Sequence, residues 1–196
     1  MVRLDERLSK NQEQSTGEFG EFLESANVLG GPTAIFLPAS VFGLSLISND
    51  TKFQDAAFTS LQAPVYAYLL GALGKRVLVG RRRPYEEQGA FQFELLSNRN
   101  SSFPSGHATT AWSIVTPWMV YYPGWKTAGL GALATGTAIT RLQRRQHWLT
   151  DVIAGSALGF STGYWLSRKH QGRLPRFAAS LTPVVTPSGF AVVAKF

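Results

Sequence analysis

No cysteine occurs among the 196 residues. That absence excludes disulfides, thiolate zinc sites and a cysteine nucleophile together. Histidine is nearly as scarce, with His107, His147 and His170 the whole complement. Three are too few for an ordinary multi-histidine metal site, so neither a metal nor a cofactor is expected. Acidic residues are also in short supply: 12 Asp and Glu face 19 Lys and Arg, for a formal charge of +7. The cationic excess is clustered at Arg81–Arg83, Arg141–Arg145 and across Arg168–Arg176. Clusters of this kind suit an anionic partner, whether phosphate, an acidic lipid surface or nucleic acid, and each also fits a plain solvated face. The segment Met1–Glu24 is polar and of mixed charge, unlike a signal or transit peptide.

Charge-free apolar runs are present but mostly short: Leu29–Ser48, Leu61–Gly74, Ala108–Trp125, Thr127–Thr140 and Val152–Ser167. A membrane span needs about 20 residues, which leaves the first and third as candidates. Mean hydropathy of −0.02 is low for a mostly intramembrane chain, and the balance leans toward membrane association. The runs are too long for strands and rich in Ala, Leu and Gly. They therefore predict an all-α bundle of about five to six helices. Gly30-Gly31-Pro32 opens the first helix, and Asn49–Gln62 reads as a short amphipathic one. From Gly80 to Pro104 the periodicity fails, and a loop of that length inside a compact domain is usually functional. Pro123-Gly124 marks a turn between helices. Val184-Val185, the turn Thr186–Gly189 and Phe190–Phe196 form a small C-terminal β-hairpin. The expected organisation is a polar segment over 1–27, one helical domain over 28–174 and a tail with the hairpin over 175–196.

Three basic constellations lie at helix ends or in the long loop. The first is Lys75-Arg76 followed by Gly80-Arg-Arg-Arg-Pro84, which also suits a solvated helix C-terminus, where cations meet the dipole favourably. The second is Pro104-Ser105-Gly106-His107, opening directly onto an apolar helix. A hydroxyl, a glycine that lets the backbone approach and first-turn amides make an anion site, and His107 at its lip can donate a proton. A loop with a capping Ser105 is the plainer alternative. The third is Thr140-Arg141, then His147, then Asp151. On a helix the last two share a face, so the carboxylate can accept from one ring nitrogen and orient the imidazole as a nucleophile; an isolated pair of this spacing is also a common local hydrogen bond. Together the three supply guanidinium forks, amides, a hydroxyl, an acid and a nucleophile, the inventory for phosphoryl transfer without a metal.

With these residues in place, the chain resembles the type 2 phosphatidic acid phosphatase family, which shares its signature with bacterial acid phosphatases, glucose-6-phosphatase and vanadium haloperoxidases. The signature is Lys, six residues, Arg-Pro; then Pro-Ser-Gly-His; then Ser-Arg, five residues, His, three residues, Asp. Pro104–His107 match the second part in full. Arg141, His147 and Asp151 match the third, with Thr140 in place of Ser. In the first part Arg83-Pro84 fits, but counting back reaches Arg76, with Lys75 one step too early. Either Arg76 takes the lysine's role, with a longer planar fork, or a local irregularity brings Lys75 in.

The resemblance implies an all-α bundle with its site at one end. It implies that His147 attacks phosphorus, that Asp151 orients it, and that His107 protonates the leaving oxygen and then activates water against a phosphohistidine. Arg83, Arg141, Ser105, the amide of Gly106 and Arg76 or Lys75 would hold the phosphoryl oxygens. The implied activity is metal-independent hydrolysis of a phosphate monoester or pyrophosphate, foremost of a lipid in the bacterial envelope, by a membrane-associated protein whose site faces outside the cytoplasm. Two alternatives share the pocket. One is a soluble periplasmic acid phosphatase acting on small phosphoesters; the other is a vanadium haloperoxidase, against which the short chain argues. A nucleic-acid partner would leave the ordered motifs unexplained and is not expected. His170 and the hairpin have no assigned part.

Overall fold

The computed structural model describes residues 2–10, 18–75, 80–93, 101–172, 180–186 and 189–195. Among them are seven α-helices: α1 (Val2–Lys10), α2 (Glu18–Ala26), α3 (Phe36–Ser45), α4 (Thr51–Leu73), α5 (Gly106–Tyr121), α6 (Trp125–Gln143) and α7 (Leu149–His170). Two strands follow, β1 (Ser180–Thr186) and β2 (Gly189–Lys195), paired antiparallel with Thr186 opposite Gly189. The all-α bundle and the terminal hairpin expected from the sequence are both observed.

Helix α5 is central, packed against α4, α6 and α7. Small residues make this possible. Gly155, Gly159 and Gly163 recur every fourth position and so line one face of α7. A Cβ on Gly155 would meet Ser105 O at 2.5 Å, one on Gly159 would meet Thr109 O, and one on Gly163 would meet Thr116 Cβ at 2.9 Å. The backbones of α5 and α7 therefore lie closer than any larger side chain allows. Ala56, Ala57, Thr59, Ser60 and Ala63 give α4 a similar small buried face. The apolar core is built around Leu29, Ala111, Val115 and Ala134, with Trp112 and Met119 against it. A smaller cluster of Ala108, Ala138 and Val152 adjoins His107 and Asp151 in sequence and supports the end of the bundle where they lie.

Two boundaries differ from those expected. The run Leu29–Ser48 is not one helix: 3-10 turns at Asn27–Leu29 and Pro32–Ile35 precede the ten-residue α3. Gly30-Gly31 interrupts the helical path there, and Pro32 can begin a helix but not continue one. Conversely, the amphipathic segment Asn49–Gln62 and the apolar run after it form a single 23-residue helix, α4, which carries Pro64 internally. Its start is set by Asp50, whose carboxylate accepts from Phe53 N at 3.1 Å, an N-cap. The run Ala108–Trp125 is broken at the turn expected at Pro123-Gly124, and α5 has 16 residues. Among the described residues α4 is the one helix long and apolar enough to cross a membrane, and neither of the two runs that composition favoured is.

The polar segment 1–27 contributes two docked helices. Helix α2 packs on α6, and α1 on α7.

Candidate active site

The site forms where the C-terminal end of α4, the loop over 80–93, the start of α5, the end of α6 and the start of α7 meet. Helix α4 ends in a wider π-type turn at Gly74-Lys75, a local irregularity of the sort found at functional positions. It brings Lys75 to the Pro104–His107 loop, with Nζ 3.7 Å from where a Cβ of Gly106 would sit. Burial, then the charge of Arg83, lowers the Lys75 pKa against the opposing pull of Asp151. Arg76 lies outside the described residues.

The Ser105 amide donates to Asp151 O at 3.0 Å, which ties the loop to α7. The Ser105 carbonyl accepts from both the amide and the hydroxyl of Thr109, at 3.0 and 2.9 Å. The Ser105 hydroxyl, by contrast, is fully buried and has no hydrogen-bond partner among the described residues. A buried hydroxyl left so costs roughly 1–3 kcal/mol, which makes it a natural contact for a bound group.

Arg141, 3% exposed, is held by two side-chain amides: Nη1 donates to Gln146 Oε1 at 2.8 Å and Nη2 to Asn27 Oδ1 at 2.7 Å. Arg83 reaches the same corner, with Nη1 donating to Gln146 O at 3.3 Å. Its backbone amide donates to Glu86 Oε1 at 3.1 Å. Gly30 explains how the chain before α3 approaches so closely, since a Cβ there would lie 2.8 Å from His107 Cβ and 2.7 Å from Thr137 Cγ2.

His147 and Asp151 lie together, though not as the i,i+4 spacing predicts. His147 Nδ1 is 2.8 Å from Ser102 O and 3.8 Å from Asp151 Oδ2. A carbonyl can only accept, so Nδ1 carries the proton and Nε2 keeps the lone pair. The hydrogen bond that fixes the ring therefore goes to a backbone carbonyl. Asp151 is a charge neighbour at a distance too long for a hydrogen bond. Asp151 is itself fully engaged: Oδ1 accepts from Arg81 Nη1 at 2.6 Å, and Oδ2 from the Trp148 amide at 2.9 Å and from the Ser102 hydroxyl. Burial alone would raise this carboxyl, but the His147 imidazole, Arg81, Ser102 and the Trp148 amide outweigh it and hold it below the usual carboxylate range. Burial pushes His147 below its ordinary value, with Asp151 opposing and Arg83 and Lys75 adding to the depression.

His107 shows the field of the site most directly. Its pKa falls to about 4, first through burial and then through Arg141, His147, Lys75 and Arg83. Positive charge from the end of α4, from α6 and from the loop thus converges on one point, an arrangement suited to an anion.

Five further residues belong to this constellation without having been singled out in the sequence. Ser102, Asn27 and Gln146 have no motif around them. Asp5 lies far away along the chain. Arg81 looks no different from its neighbours in Gly80-Arg-Arg-Arg-Pro84, yet it is 4% exposed and turned toward Asp151.

The family model for the PAP2 superfamily matches residues 61–175, which include Lys75, Arg83, His107, His147 and Asp151. A lipid A 1-phosphatase of Rhizobium johnstonii is 36% identical over 99 residues, covering 48% of this chain and 40% of the relative. One from Porphyromonas gingivalis is 36% identical over 74 residues, 34% of this chain and 16% of the relative. The match thus spans less than half the length of these curated relatives. In three dimensions the chain is similar to a transmembrane PAP2 type phosphatidylglycerolphosphate phosphatase from Bacillus subtilis, with TM-score 0.62 and 20% identity over 90% of this chain and 88% of that one. It is also similar to LpxE of Aquifex aeolicus, with TM-score 0.56 and 18% identity over 84% of this chain and 93% of that one. With a family model matching well over half of its residues and the same helical fold in two solved relatives, the chain belongs to the PAP2 superfamily.

Proposed function

We propose that this chain is a metal-independent phosphohydrolase that removes phosphate from a lipid in the bacterial envelope through a phosphohistidine on His147. The observation that carries the reading is the convergence of Arg141, Lys75 and Arg83 on His107, beside a buried Ser105 hydroxyl that has no partner among the described residues. A tetrahedral phosphate supplies both the missing negative charge and the missing acceptor.

In this mechanism the phosphoryl oxygens lie among Arg83, Arg141, Lys75, Ser105 and the amide of Gly106. His147 Nε2 attacks phosphorus as the bond to the leaving oxygen breaks, and His107 delivers a proton to that oxygen. The positive charge that develops on His147 is met by Ser102 O at Nδ1 and by Asp151 at 3.8 Å. Water then gives a proton to His107, attacks phosphorus and releases inorganic phosphate, and His147 recovers its lone pair. Metal is not required in this scheme, because guanidinium and ammonium groups offset the charge.

The lipid preference is supported by the outer surface of α4, where Val65, Tyr68, Leu69 and Leu73 form an exposed stripe that leads directly to Lys75. An apolar stripe on a helix ordinarily faces a core. Here it would face acyl chains while the headgroup phosphate reaches the cations, with the site outside the cytoplasm. The lipid A 1-phosphatases among its relatives make a glycolipid 1-phosphate the first substrate to try.

The test is phosphate release with EDTA present from a lipid A-type 1-phosphate, a phosphatidate, undecaprenyl diphosphate and a soluble monoester. Activity should survive the chelator and favour a lipid, and His147→Ala should lower kcat by about 10³-fold or more. An active His147→Ala protein, or one silenced by EDTA, overturns the mechanism.

A further inference from the structure

We infer that the N-terminal helix α1 is part of the catalytic apparatus: Asp5, acting through Arg81 and Thr150, positions the carboxylate of Asp151. This rests on the proposed roles of His147 and Asp151 and adds a residue remote from every motif of the site.

Helix α1 docks in an unusual way. It leaves Leu4 49% and Leu8 40% exposed while burying Asp5 to 1%. A helix held by apolar contact would do the opposite, since carboxylates are almost never fully buried unless paired. The docking is therefore directed by the ionic contact.

Asp5 is matched atom by atom. Its Oδ2 accepts from Arg81 Nη2 at 3.0 Å and from the Thr150 hydroxyl at 2.7 Å, and its Oδ1 accepts from the Thr150 amide at 3.1 Å. Thr150 Oγ1 in turn accepts from Arg81 Nη1 at 2.6 Å. Arg81 spans the gap to Asp151 through the same Nη1, at 2.6 Å. Its remaining groups are taken as well: Nε donates to Ala90 O at 3.0 Å, and the guanidinium lies 5.4 Å from the Trp148 ring centre. Its carbonyl accepts from the amide of Ser102 at 2.9 Å, the residue whose own carbonyl fixes His147. Arg81 is thus committed to structure behind the nucleophile.

The charge sequence is Asp5, Arg81, Asp151, with His147 beyond. A lone guanidinium against Asp151 would cancel much of the carboxylate's field at the imidazole. With Asp5 on its other side, Arg81 is shared and Asp151 keeps more of its negative charge for the developing imidazolium. Glu6 of α1 accepts from Ala90 N at 3.3 Å and holds the loop that carries Arg81. The other titratable or charged groups near His147 are Lys75 at the end of α4, Arg83 of the loop and His107 of α5, with Arg141 of α6 acting on His107.

The experiment compares full-length wild type with Asp5→Asn, Thr150→Val and Asp151→Asn, measuring kcat, KM, the pH dependence of kcat/KM and thermal unfolding. Asp5→Asn adds one net positive charge near the site. It should lower kcat by about 10- to 100-fold, leave KM within about twofold and move the acid limb of kcat/KM, which reports the free enzyme's base, to lower pH. Thr150→Val keeps the charges but breaks two hydrogen bonds of the relay, so it should lower kcat without moving the limb; it decides the matter if Asp5→Asn does not fold. Wild-type kcat and an unmoved limb in folded Asp5→Asn, or wild-type kcat in Thr150→Val, would overturn the inference. Full activity in Asp151→Asn would instead overturn the reading on which it rests.

Discussion

His107 is the residue whose environment makes the sharpest demand on the mechanism. With a pKa near 4 the ring is neutral in the empty site at about pH 6, where an unperturbed imidazole would be largely protonated, so it has no proton to donate until an anion arrives. A bound oxyanion among Arg83, Arg141 and Lys75 offsets the repulsion that adds to burial in depressing the ring, and so raises its pKa. Binding should therefore take up a proton. Calorimetry of tungstate binding at about pH 6, in buffers of different ionisation enthalpy, should show net uptake in wild type and a reduced uptake in His107→Ala. At pH values below about 4 the ring is already charged and the uptake should vanish. Observed enthalpies independent of buffer would show that His107 does not gain its proton with the substrate. His107, His147, Asp151, Arg83, Arg141 and Ser105 were all legible in the sequence, because each lies in a short motif next to its partners. Their supports were not. Asn27 and Asp5 reach the site from the N-terminal segment, and nothing local to either residue reports where it docks.

Helix α7 shows the same division at the scale of an element. Its apolar run and its glycines were visible, but a four-residue glycine repeat could serve a kinked or loosely packed helix as well as a close one. Contact with α5 decides the matter, since a methyl at Gly159 would strike the Thr109 carbonyl and lie 3.0 Å from Ser113 N. Gly159→Ala should cost about 1–3 kcal/mol by overpacking. Because Ser105 and Asp151 ride on the same pair of helices, activity should fall with it. Gly43 is the control. It lies within α3 with nothing within 4 Å of an added Cβ, so Gly43→Ala should raise stability by about 0.5–1 kcal/mol. Thermal or denaturant unfolding of the two variants checks both signs. Helix α4 is the converse case: two sequence segments of different character became one element, because Asp50 caps the start and the helix continues through Pro64 as far as Leu73.

Across the whole molecule the described surface is strongly divided. Exposed apolar residues run along α3 and α4, from Phe36 and Leu37 to Leu69 and Leu73, and recur on α7 at Phe160 and Trp165. Arg168 and Lys169 flank the latter, stacked near Tyr164 and Trp165, as cations and aromatics do at a membrane interface. The full chain should float with anionic phospholipid vesicles. Val65→Asp combined with Leu69→Asp should weaken flotation and lipid turnover while sparing hydrolysis of a soluble monoester. Wild-type protein that stays in the aqueous fraction would refute the membrane association.

Composition and order alone determined the helical class, the expectation of an anionic partner and the motif residues, because each depends on local spacing or on charge summed over the chain. Only the tertiary structure decided which of three adjacent arginines braces Asp151. It also gave the His147 hydrogen bond to Ser102 O instead of the carboxylate, and it made the N-terminal segment part of the site. The physical reason is common to all three. A hydrogen bond or buried ion pair is settled by distance and by which polar groups are otherwise left without partners, and residues as far apart in sequence as Asp5 and Thr150 share those quantities only after the helices have packed.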